Sequence, residues 1–155
     1  MSLALAILLI ASGCEHRGLS ASSDRVLADV WGQPLPITAR ILRKKVNRGY
    51  LAGAATPTAY YELVMGQEDF WNDMTGRKMA PMRLRIHGRP ASDEIDEIYW
   101  KYGKTMEDVF GRNLGEMSWI CVLDPIRRCA MVIDDTSSPT LTIYLVGMPK
   151  PSLLD

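Results

Sequence analysis

An α+β fold is predicted, with a helical N-terminal part packed on a small antiparallel sheet that ends in a C-terminal three-stranded meander. Two observations carry it. Between residues 57 and 110 apolar side chains recur at three- to four-residue steps behind capping residues. From residue 118 onwards they crowd into short runs rich in β-branched side chains, separated by Asp, Ser and Pro. The N-terminal part is thus mostly helical and the C-terminal part changes to consecutive strands, which suits α+β.

In order, Asp24–Trp31 reads as two helical turns that end near Gly32, and Gln33-Pro34-Leu35-Pro36 breaks regular structure. Ile37, Ala39 and Ile41 alternate, so a strand is expected from Ile37, although Ile41, Leu42 and Val46 also suit a helix. Thr56-Pro57 has the form of an N-cap and first helical residue. Tyr60, Leu63, Val64, Trp71 and Met74 would then line one helical face, with Gly76 as a left-handed terminator. Met82 to His87 alternates as a strand with Met82, Leu84 and Ile86 inward.

Ser92 caps the next helix, and Asp93, Glu94, Asp96 and Glu97 place negative charge where the dipole favours it. Ile95, Ile98, Tyr99 and Tyr102 face the core and Gly103 stops the helix. Thr105–Phe110 is a short third helix closed by Gly111. Residues 118–123 and 128–133 flank Asp124-Pro125-Ile126-Arg127 as a hairpin, and 140–146 adds a third antiparallel strand. Residues 82–87 supply a fourth.

The first residues tell of address. Leu3 to Ala11 is an apolar run of nine residues, about 14 Å as a helix, against a bilayer core of roughly 30 Å. It is too short to span and has the length of a signal-peptide apolar region, ending in small residues. Cys14 directly after Ala11-Ser12-Gly13 resembles the lipobox of bacterial lipoproteins. That resemblance covers the leader alone. It implies removal of residues 1–13, a diacylglycerol on Cys14, a membrane anchor and, from Glu15 at the next position, the outer membrane facing the periplasm. The alternatives are a cleaved, unlipidated secretory signal or an N-terminal core helix. Residues 14–23 then form a polar tether and 24–155 a single domain.

Lys+Arg and Asp+Glu balance at 18 each, which gives no support for a nucleic-acid partner. From Glu15 to Tyr50 there are seven basic and three acidic residues, a net of +4, concentrated in Arg40, Arg43, Lys44, Lys45 and Arg48. Such a cluster meets anionic head groups or polymers, or is a solvated face. Cys121 and Cys129, set opposite each other by a loop of residues 124–126, are expected as a disulfide in an oxidising compartment; free core thiols are the alternative.

His87 is the one credible general base, without a nucleophile in a recognisable setting. Gly103-Lys104-Thr105 lacks the earlier glycine of a phosphate loop. The acidic run lacks the spacing of a calcium loop. No cofactor or metal is expected. Trp100 lies off its helix's apolar face, either anchoring a partner or covered by a loop.

The resulting expectation is a non-enzymatic binding or accessory module with an envelope protein partner, in a secretion or conjugation assembly or as an immunity-type lipoprotein. The alternative is a periplasmic hydrolase acting on an envelope polymer.

Overall fold

A computed structural model describes residues 19–51 and 54–154, with side chains at 20–47 and 57–154. Cys14, His16 and the leader lie outside the described residues. The class is α+β, and the C-terminal meander forms as expected. β7 (Trp119–Asp124), β8 (Cys129–Asp134) and β9 (Thr140–Gly147) pair consecutively and antiparallel.

The sheet is larger than anticipated because the N-terminal half adds to it. β1 (Leu19–Ser20), β2 (Arg40–Leu51), β3 (Ala54–Gly66) and β4 (Met82–Arg83) complete seven strands in the order β1-β2-β3-β9-β8-β7-β4. Strand β3 is the main departure from expectation. Residues 57–66 were expected to open a helix; they lie inside the sheet between β2 and β9, and only α2 (Gln67–Gly76) is helical.

The reason is burial on both faces. Ala59, Tyr61, Leu63 and Met65 enter one core while Tyr60 enters the other. A strand covered on both sides reads as a continuous apolar run, which periodicity does not separate from a helix. Pro57 fits because β9 stops at the Ala59–Gly147 pair, so Pro57 has β2 on one side and no β9 strand on the other.

Three layers result. On one face lie α1 (Arg25–Trp31) and α2, burying Val26, Leu27, Val30, Trp31, Phe70 and Met74 against Met131, Ile133, Leu141, Ile143 and Leu145. Asp24 caps α1, accepting from the Leu27 amide at 2.9 Å. Gly147 lets α1 approach: a Cβ there would stand 2.5 Å from Val30 Cγ1 and 2.6 Å from Cys129 Sγ.

On the other face lie α3 (Asp93–Ile98), a π-turn (Tyr99–Gly103) and α4 (Lys104–Phe110), which form one continuous helical stretch. Ser92 caps it as predicted, accepting from the Ile95 amide at 3.2 Å. Gly103 does not stop the helix. It keeps helical angles, and the absence of a side chain leaves room for the Tyr99 ring, whose atoms would lie 2.4 Å from a Cβ.

Smaller corrections follow from local chemistry. β2 starts at Arg40, and Ile37 is exposed. Gly76 is the last residue of α2 rather than its left-handed terminator, the positive φ falling on Lys78. Residues 82–87 split: Met82–Arg83 pairs with β7, whereas β5 (Arg85–Ile86) forms a separate hairpin with β6 (Arg89–Pro90). Leu84 is buried as expected, but Ile86 is half exposed.

Candidate functional site

The α3–α4 face of the sheet ends in an open corner. There Tyr60 of β3 stands opposite Val146 of β9, and one step outward Thr58 stands opposite Asn47 of β2. Beyond Ala59 only the β2–β3 hairpin continues. Lys101 and Tyr102 of the π-turn, with Thr105, border this corner from the helical layer; Ile126 and Arg128 border it from the β7–β8 turn, and Met148 follows β9. Together they enclose a groove of about 490 Å³, within the size range of small-molecule sites.

Both rims are held in place. Asp124 Oδ1 accepts from the amides of Ile126 at 2.9 Å and Arg127 at 3.2 Å, fixing the turn that leaves Ile126 87% exposed. Arg128 follows in the left-handed region at φ 50, a conformation uncommon for a residue with a side chain. On the helical side, Glu107 accepts from the Tyr99 hydroxyl and from the amides of Leu114 at 2.9 Å and Gly115 at 3.2 Å. Burial of Glu107 opposes its ionisation, but the bonds from Lys104, Tyr99 and Gly115 outweigh it and hold its pKa below the usual carboxylate range.

Exposed Arg25, Arg40, Lys45, Lys78, Arg83, Arg89, Lys101 and Arg128 form no ion pair among the described residues, and Lys101 and Arg128 border this groove. The partly buried cations each meet a carboxylate, Arg77 at Asp73 (3.0 Å), Arg85 at Glu116 (3.7 Å) and Arg127 at Asp29, and exposed Arg43 and Arg112 share Glu62 while exposed Lys44 meets Asp24 at 2.7 Å. Among the described residues Lys101 and Arg128 meet none within ion-pair distance, and the groove has no acidic residue in its lining. Lys101 lies over the Tyr102 ring at 5.2 Å. Lys45, cross-strand partner of Tyr60, adds positive charge on the same face of the sheet.

The residues singled out from sequence disperse. Lys45 pairs across the strands with Tyr60, which lines the groove, but does not line it itself. Arg43 is tied to Glu62 and lies 5.1 Å over the Phe110 ring, while Lys44 binds Asp24 on the opposite face. Arg40 donates to the carbonyls of Ile37 and Ala39. The basic cluster is thus divided between two faces of the sheet and largely committed to internal partners. Trp100 is 62% exposed, covered by no loop, in the same turn as Lys101. His87 has φ 52 in the β5–β6 turn. Gly103-Lys104-Thr105 lies within a helix, and Lys104 pairs with Glu107 at 2.6 Å.

The expected disulfide is replaced by two free, buried thiols. The β7–β8 register sets Cys121 opposite Met131, and Cys129 opposite Asp124. The cysteines are therefore diagonal neighbours on one face, about 7–8 Å apart, beyond the usual reach of a disulfide. Burial pushes the Cys121 thiol up to about 11, against the opposing pull of Arg77.

Lys101, Arg128 and Ile126 escaped the sequence reading. A lone surface cation has no local signature, and these become a site only when the π-turn and the β7–β8 turn meet across the sheet corner. The arrangement offers two cations to a negative charge in the groove while Ile126, Met148 and Val146 present apolar surface. Among the described residues no group of three His, Cys, Asp or Glu is placed to hold a metal ion, and no helix is long and apolar enough to cross a membrane. Comparisons with protein-family models, curated proteins and solved structures find no match to this chain.

Proposed function

We propose that this protein is a non-enzymatic binding module of the bacterial cell envelope that docks an anionic group of its partner in the groove between the π-turn and the sheet corner. The observation that carries the reading is the groove itself, bordered by two exposed cations, Lys101 and Arg128, that meet no carboxylate among the described residues, and lined by no acidic residue. A cation placed beside its own counter-ion serves stability; one left open toward a groove is available to a ligand.

The address rests on residues 1–14. A lipid on Cys14, whose acyl chains contribute about 0.8 kcal/mol per buried methylene, and the polar tether to residue 23 would hold the domain at the outer membrane facing the periplasm. An envelope assembly or a periplasmic effector would supply the partner.

The test uses the chain from residue 14 carrying Cys14→Ser, which needs no detergent and contains every described residue. Amide chemical shifts are followed while acetate, inorganic phosphate and decanoate are added. The reading expects at least one of these anions to shift the amides of Tyr60, Lys101 and Arg128, and the response to vanish in Lys101→Glu/Arg128→Glu with the fold unchanged by circular dichroism. Shifts scattered over the surface, or none, reject the groove as an anion site. The address is tested separately: the intact mass of native protein must match a chain starting at an acylated Cys14.

A further inference from the structure

Resting on the groove reading above, we infer that the ligand is an amphipathic anion: a single carboxylate or phosphate head joined to an apolar body, such as a medium-length acyl chain. The two halves of this inference come from different residues. Lys101 and Arg128 border the groove from separate elements with no carboxylate partner among the described residues, so both attract a single anionic head placed in it. Ile126, the most exposed large apolar side chain among the described residues at 87%, sits on the same rim, and half-buried Met148 stands beside it.

A bare inorganic anion would use the cations and leave Ile126 and Met148 in water. Contacts between exposed, hydrated charges alone are weak. A wholly apolar ligand would cover the same side chains and strip water from two unpaired cations, which costs more than it returns. Only a ligand with both parts uses the whole groove. Its depth suits this as well: Tyr60, Tyr102 and Val146 form a floor that is already buried, so the body lies along a preformed apolar surface. Thr58 and Asn47 provide neutral donors at the outer end.

The experiment is calorimetric titration of decanoate, decyl phosphate, decanol and inorganic phosphate into the Cys14→Ser chain, all below their micellar range. Decanoate or decyl phosphate is expected to bind one to one, at least about tenfold tighter than decanol or inorganic phosphate; the tighter of the two identifies the head. Lys101→Met/Arg128→Met should weaken that ligand about tenfold or more. Ile126→Ser should weaken it severalfold and leave inorganic phosphate unaffected.

Inorganic phosphate binding as tightly as the amphiphiles overturns the apolar half while leaving anion docking intact. Decanol binding as tightly as decanoate overturns the role of the cations. Amphiphile binding that ignores all three substitutions places the site elsewhere. No binding by any of the four overturns this inference, and the anion-docking reading falls with it if the acetate, phosphate and decanoate shifts are also absent.

Discussion

Gly103→Ala tests whether the π-turn that carries Lys101 is built as described. At an ordinary helical position this change stabilises by about 0.8–1 kcal/mol, because alanine loses less backbone entropy and glycine is the poorer helix former. Here Gly103 has unstrained helical angles, φ −66 and ψ −41, so the backbone would accept alanine. The obstacle is the Tyr99 ring: a Cβ would stand 2.4 Å from two of its carbons. The ring must move, and its hydroxyl donates to Glu107.

Overpacking costs about 1–3 kcal/mol, and loss of a hydrogen bond to a charged group about 1.5–3. Set against the propensity gain, and allowing that the ring shifts rather than suffering both penalties in full, the expected result is a loss of about 1–3 kcal/mol. The sign therefore reverses relative to a normal helix. Urea denaturation of the Cys14→Ser chain measures it, with Tyr99→Ala as the background control. Without the ring, Gly103→Ala should recover most of the ordinary gain. Gly76, the last residue of α2, where a Cβ meets nothing within 4 Å, serves as an unobstructed reference and should show a smaller gain of the same sign. Stabilisation by Gly103→Ala in the parent would refute the packing of Tyr99 over Gly103 and with it the described geometry of the turn.

Three further outcomes are expected. Gly147→Ala should destabilise by about 1–3 kcal/mol, read by the same denaturation, because the added methyl meets Val30 and Cys129 where α1 closes on the sheet. A neutral effect would place α1 further from β9. Asp24 has its pKa lowered, burial opposing but hydrogen bonds from Lys44 and the Leu27 amide prevailing. A carboxyl depressed on folding contributes stability that is complete above its unfolded value, near pH 4, and is lost as pH falls through the folded value. The deficit of Asp24→Asn should therefore shrink between pH 7 and pH 3; a constant deficit contradicts the ion pair. Finally, burial raises both thiols, so Cys121 and Cys129 should resist a thiol reagent at pH 8 until the domain opens. A gain of two protons on reduction of the intact protein would show a disulfide and refute the register between β7 and β8.

What was legible in the sequence is what local chemistry decides. Ser92 and Asp24 are caps because their side chains reach amides three residues on. The meander is legible because its turns hold Pro, Asp and Ser between β-branched runs. Strand β3 was not, because Tyr60 and Tyr61 both find a core, one on each face of the sheet, and two-sided burial erases the alternation that marks a strand. The same tertiary layering defeated the other misreadings. Gly103 looks like a helix stop until Tyr99 is placed above it. The cysteines look opposed until the turn is seen to span residues 125–128, which pairs Cys129 with Asp124 and leaves Cys121 opposite Met131. The groove was the least legible part, since Lys101 and Arg128 lie 27 positions apart in sequence and carry no motif, and none of Arg40, Arg43, Lys44 and Lys45 lines it.

The most direct test of anion docking is a crystal structure of the domain grown with decanoate. The account predicts its carboxylate within ion-pair distance of at least one of Lys101 and Arg128, with the acyl chain against Ile126, Met148 and Val146. A decanoate bound elsewhere with the groove vacant, or lying in the groove with its carboxylate turned away from both cations, would contradict it.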